Sequence, residues 1–192
     1  MDYFRYHSTN CFFLKSTRSD DLLAIDAGWP CTLYEYQRRM KERGLKYSNI
    51  KWAIVTHFHM DHAGLISDFI ETGINCYMFE NQEYADIDEM EIIIRKNYRT
   101  YKPIEKDKII PLTTNDVREY FGKNGIRIDI IKTIGHSKDS ISLLFEDEAI
   151  IGDLTPIHQL MDDDMKSKES WELIKNKNIK KIYPSHAEIF KL

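Results

Sequence analysis

The chain has 192 residues, 42% hydrophobic and 30% charged, with a formal net charge of −4. That length and composition suit one globular domain over residues 1–192 with a sizeable core, and the acidic balance disfavours nucleic acid as a partner. Three cysteines without paired spacing argue against a disulfide framework, and no apolar run approaches the roughly 20 residues that span a bilayer.

Cys11-Phe12-Phe13-Leu14 and Leu22-Leu23-Ala24-Ile25 read as strands, with a turn at Ser19-Asp20-Asp21 between them. Met1 to His7 lacks the apolar stretch of a secretory leader, so a cytosolic protein is expected. Thr32 to Arg43 reads as a helix, with Leu33, Tyr36 and Met40 at helical spacing and Gly44 as its stop. Trp52 to Thr56 reads as a strand, Ala63 to Glu71 as a helix ended by Gly73, and Asn75 to Phe79 as a strand. Thr114 to Phe121 reads as a helix with Gly122 beyond it. Strands follow at 126–133, 140–145 and 148–152, then a helix near 167–176 and a strand at 179–183. The stretch 80–112 is the least legible.

The densest chemistry lies at Thr56-His57-Phe58-His59-Met60-Asp61-His62-Ala63-Gly64, directly after the apolar Trp52-Ala53-Ile54-Val55. A strand running into this stretch turns alternate side chains one way, so His57 and His59 can share one metal ion. Asp61 and His62 come where the chain must turn and can reach a second. Three further strand ends carry the same residue types: Gly135-His136-Ser137, Gly152-Asp153 and Ser185-His186. Loops at strand ends on a rigid sheet are where binding groups tend to sit.

With Asp26-Ala27-Gly28 before them, these motifs resemble, in order, those of the metallo-β-lactamase-fold hydrolase superfamily, over nearly the whole chain. The resemblance implies an α+β fold, a four-layer αββα sandwich of two mixed sheets flanked by helices. It implies two divalent ions, one held by His57, His59 and His136, the other by Asp61, His62 and His186. Asp153 would bridge them, and Asp26 would orient a ligand from behind. Imidazole and carboxylate donors favour zinc, with manganese or iron(II) as alternatives. Flavin-linked diiron relatives usually carry Glu where His59 stands, which also favours zinc. Asp153 at the bridging position resembles the glyoxalase II, lactonase and phosphodiesterase branches, whereas secreted β-lactamases often place Cys or Ser among their ligands.

The function implied is a metal-dependent hydrolase in which a metal-bridging hydroxide, oriented by Asp61, attacks a small-molecule ester, thioester or lactone. The alternatives are a phosphodiesterase or nuclease-type hydrolase and an iron-dependent persulfide-type oxygenase. Glyoxalase II adds a helical domain for which residues 154–192 leave no room. Two further expectations concern substrate. Arg95, Arg99 and Lys102 form a basic, aromatic lid able to grip an anion, or else the solvated face of a helix. His158, five residues past Asp153, is placed to face the substrate. Finally, Ser137-Lys138-Asp139-Ser140 departs from the Thr-Pro-Gly-Ser common after the third-motif His.

Overall fold

Strands that are apolar on both faces must be covered on both, and this requirement sets the architecture. The computed structural model describes residues 1–192. One sheet contains β1 (Asp2–Tyr6), β2 (Thr9–Lys15), β3 (Leu22–Ile25), β4 (Ile50–Ile54), β5 (Asn75–Phe79) and β6 (Ile110–Leu112), in that spatial order. Its first three strands are antiparallel and β3 to β6 are parallel. Helices α1 (Leu33–Glu42), α2 (Met60–Ala63), α3 (Ile66–Glu71) and α4 (Tyr84–Asn97) lie along the crossovers. After α5 (Thr114–Lys123), the second sheet takes β7 (Asp129–Lys132), β8 (Ile141–Phe145), β9 (Glu148–Gly152), β10 (Lys181–Pro184) and β11 (Phe190–Lys191), in the order β11-β10-β9-β8-β7. Helix α6 (Met165–Lys175) precedes β10.

Side chains sort by the period of two. Phe12, Leu23, Ile25, Trp52 and Tyr77 point between the sheets, where they meet Ile141, Leu143, Ile150 and Tyr183. Their neighbours Cys11, Phe13, Ala24 and Cys76 face the other way, onto Tyr36, Met40, Phe69 and Met90 of α1, α3 and α4. On the far side, Trp171 and Ile174 of α6 pack on Ala149, Ile151 and Ile182. The result is the αββα sandwich of two mixed sheets. No helix is long and apolar enough to cross a membrane.

Several boundaries differ from the sequence reading. The strand before the histidines ends at Ile54, so Thr56 to His59 form a loop rather than a strand continuation. The helix read over 63–71 is two helices, because the chain leaves the helical conformation at Leu65 (φ −102°, ψ 10°), just after Gly64, where any Cβ would lie 2.3 Å from the Pro30 nitrogen. Gly122 lies inside α5; the turn that ends it uses Gly125, at φ +76°. The strand read over 126–133 shortens to β7, and β1 and β11 are additional edge strands. Backbone bonds gather the strand ends at one rim: Asp26 N–H donates to Ile54 O, Ile141 N–H to Thr56 O, and Ser185 N–H to Gly152 O.

Phe13 is fully buried and its ring lies against Phe4 and Tyr36. Phe13→Ala should therefore cost about 3–5 kcal/mol in urea unfolding, whereas Tyr34→Ala, on the 82% exposed side of α1, should stay within about 0.5 kcal/mol. Equal effects would contradict this division of faces.

Candidate metal centre

Each motif reaches the rim for a local reason. Asp26 follows β3 in the left-handed region, at φ +65°, which Asp tolerates better than most residues. Its carboxylate is buried and saturated. Oδ1 accepts from the Thr56 backbone N–H at 2.7 Å and the Thr56 hydroxyl at 3.0 Å. Oδ2 accepts from His62 Nδ1 at 2.9 Å and Ser185 Oγ at 3.2 Å. Gly152, at φ +56°, lets the end of β9 approach Thr56, where a Cβ would come within 2.8 Å of that side chain. Asp153 is thereby brought against the histidines. Asp61 and His62 sit on the single turn of α2.

The donors form two overlapping groups that share a carboxylate. His57 Nε2 and His136 Nε2 each lie 3.0 Å from His59 Nδ1. Across the site, His186 Nε2 lies 3.0 Å from Asp61 Oδ2, and His62 Nε2 lies 3.3 Å from His186 Nε2 and 3.4 Å from Asp61 Oδ2. Asp153 stands between the groups. Its Oδ2 is 3.5 Å from His136, 3.8 Å from His57 and 3.3 Å from His186, and its Oδ1 is 3.3 Å from His62. The distal ring nitrogens are occupied elsewhere: His62 Nδ1 by Asp26, His186 Nδ1 by the Ser8 carbonyl at 2.8 Å, and His57 Nδ1 by Thr56 Oγ1 at 3.1 Å. Those bonds fix the ring orientations, so that each inward nitrogen becomes a metal-binding acceptor once it carries no proton.

Inward lone pairs crowded at such distances repel unless a cation lies among them. Four ligand bonds of about 2.0–2.1 Å in a tetrahedron set neighbouring donors about 3.3 Å apart, which is the spacing of these contacts. Asp153 Oδ1 is buried 3.3 Å from His62 Nε2. The donor set therefore fits divalent metal ions. Triads able to hold one are His57–His59–His136, His57–His62–Asp153 and Asp61–His62–His186.

Protonation follows from the neighbours. Burial, with His62 adding to it, pushes His57 well below the usual imidazole range, and burial also lowers His136. Hydrogen bonds to Asp153 and Asp61 push His186 up to about 10. Burial lowers His62, but the Asp26, Asp153 and Asp61 carboxylates outweigh it and raise it. Burial likewise raises Asp61 and Asp153, and the hydrogen bonds from His186 and His62 outweigh it, leaving both well below the carboxylate range.

The remaining expectations fall away from the cluster. His158 is exposed on a 3₁₀ turn at Ile157–Gln159, stacked edge-on against Phe190. Arg95 pairs with the buried Glu91 at 2.7 Å, Lys102 binds Glu71, and Arg99 is exposed past the end of α4. Neither the arginines nor Lys102 line the cavity beside the centre; α4 presents Asp86, Glu89, Met90 and Ile93 to it instead. Arg95 and Lys102 instead neutralise carboxylates of α4 and α3. Sequence reading also missed supports of the ligands. The Thr9 hydroxyl donates to Asp61 Oδ2 at 3.1 Å, and Asp139 Oδ2 accepts the Phe58 N–H at 2.6 Å, so the departure from the common loop motif clamps the histidine loop. The departure itself was the only signal for Asp139.

The family model of the metallo-beta-lactamase superfamily matches residues 5–186. A probable metallo-hydrolase of Methanocaldococcus jannaschii is 27% identical over 95% of this chain and 89% of its own length. Among solved structures, TTHA1623 in a di-iron-bound form superposes with a TM-score of 0.67 at 15% identity, over 95% of this chain and 89% of that one. The metallo-beta-lactamase FIM-1 from Pseudomonas aeruginosa, in a mono-zinc form, superposes with a TM-score of 0.63 at 16% identity, over 95% and 78%. At these identities the structural likeness is one of fold. The chain spans about half the length of three other curated relatives, 44%, 58% and 53% of them respectively.

Two outcomes follow. Asp26→Asn keeps the side chain's size but removes an acceptor from His62 and Ser185. It should weaken metal binding about 10–100-fold in competition with a chromophoric chelator; unchanged affinity would contradict the role given to Asp26. In the metal-free chain His62 and His186 hold protons at pH 7.5 and must lose them to coordinate, while His57 and His136 are already neutral. Metal uptake should thus release about two protons, read by calorimetry in buffers of different ionisation enthalpy. No release would contradict the assignment.

Proposed function

The chain belongs to the metallo-beta-lactamase superfamily, and from that premise we propose that it is a dinuclear metal-dependent hydrolase of small-molecule esters, thioesters or lactones. The observation that carries this reading is the pair of donor triads, His57–His59–His136 and Asp61–His62–His186, with Asp153 standing within 3.3–3.8 Å of nitrogens from both. His57, His59 and His136 would hold one ion, and Asp61, His62 and His186 the other, with Asp153 between them. Three imidazoles on one side suit zinc, and two imidazoles with a carboxylate on the other suit zinc or iron(II).

Bound there, divalent ions would supply Lewis acidity and lower the pKa of a water to about 7. The chain's own residues do the rest. Asp61 lines the cavity beside His59 and is held by Thr9, so it is placed to orient the attacking water. Its carboxyl stays ionised and serves as an oriented acceptor rather than a proton store. The ester or thioester carbonyl enters from the cavity side, between His59 and α4. The three free cysteines, none among the donors, support a cytosolic setting.

Quantitative chelation should abolish turnover of thioester and lactone substrates, and zinc should restore it. His59→Ala and Asp153→Ala should lose metal and turnover together, by more than the roughly 100-fold that outer hydrogen-bond partners alone control. Full activity without metal would overturn the reading. Preference for bis-p-nitrophenyl phosphate would favour the phosphodiesterase reading, and iron with oxygen consumption the persulfide oxygenase.

A further inference from the structure

The cavity beside the metal donors, about 510 Å³, opens off His59 and Asp61 and runs under α4. Two features of its wall are unused by the hydrolytic machinery. The first is apolar: Met60, Met90 and Ile93 face it, and Ile93 remains 52% exposed although it is a large aliphatic residue on a helix. The second is charge. Away from the metal ligands the wall carries three carboxylates, Asp86, Glu89 and Asp139, and a single cation, Lys138. That cation is already engaged, with Nζ 3.1 Å from Asp86 Oδ1 and 3.6 Å from Glu89 Oε1. Asp139 is held by the Phe58 N–H. No wall cation is left without a carboxylate partner to meet an anion at the distal end of the cavity.

Resting on the hydrolase reading, we infer that this cavity binds an uncharged, apolar substrate arm and rejects one ending in an anion. A neutral acyl chain of about eight carbons buries its methylenes against Met60, Met90 and Ile93, at about 25 cal/mol for each Å² removed from water. A carboxylate at the far end of the same chain loses its hydration and faces Asp86 and Glu89, which costs more than the chain gains. Lys138 fixes the acidic wall in place rather than serving as an anion receptor. Glu89, with its side chain 71% exposed, is the wall group whose charge can be changed with least disturbance of the fold.

The test has two readouts. On the zinc-loaded protein, kcat/KM for p-nitrophenyl octanoate should exceed that for the acetate by at least about tenfold, and the octanoate analogue carrying an ω-carboxylate should lose that gain. Ile93→Asp should erase the octanoate-to-acetate ratio, and Glu89→Lys should raise the ω-carboxylate ester relative to octanoate. Independently of turnover, protein labelled with 13C at the methionine methyls is titrated with N-methyloctanamide and with its ω-carboxylate analogue. The Met60 and Met90 signals should shift with the neutral amide only, while Met161 stays still. Such shifts without turnover of any ester would support the cavity assignment and count against the hydrolase reading alone. A flat chain-length profile with unmoved methyls, or equal response to both amides, would overturn the inference.

Discussion

The rest of the structure depends on the buried carboxylate of Asp26. A charge removed from water needs charge-assisted hydrogen bonds on every side, and the chain delivers them from two strand ends and a helix: Thr56 after β4, Ser185 after β10 and His62 on α2. Those partners come from both sheets, so satisfying one carboxylate aligns the two halves of the sandwich at a single rim. The same bonds set the His62 ring so that its other nitrogen faces Asp61, Asp153 and His186. The alignment of the two sheets at this rim and the setting of the site are two consequences of one desolvated charge.

The metal centre repeats this logic at a smaller scale. Each inward-facing nitrogen is defined by what holds the opposite side of its ring, be it Asp26, the Ser8 carbonyl or Thr56. Ligands preset in this way lose little rotamer entropy on binding an ion, so binding free energy is not spent on ordering them. Without a metal ion, protons on His62 and His186 hold one side of the arrangement together, while on the other side the His57 and His136 nitrogens each crowd and repel His59 Nδ1 at 3.0 Å. Affinity for a divalent ion is the counterpart of that repulsion.

Much of this was legible in the sequence because its signals are local. Apolar runs such as Cys11 to Leu14 and Leu22 to Ile25 carry the strand pattern whole, and His57 to His62 crowds four donors into six residues. What escaped depends on distant partners. β1 mixes Asp2 and Arg5 with Phe4 and Tyr6, as a charged edge strand does, and becomes a strand only through pairing with β2. The cations of the 80–112 stretch suggested a basic lid, but the pairing of Arg95 with Glu91, four residues earlier on the same helix, turned that charge inward to the helix's own acids. Asp139 looked like a lapse in a motif and proved to clamp Phe58, eighty-one residues away in sequence.

The central claim is that groups scattered from Asp26 to His186 converge on divalent cations. Anomalous diffraction at the zinc edge, on crystals grown with zinc in excess, tests it most directly. The account predicts two peaks flanking Asp153, one within ligand distance of His57, His59 and His136, the other of Asp61, His62 and His186. Zinc bound only elsewhere, or no peak within that cluster, would contradict it.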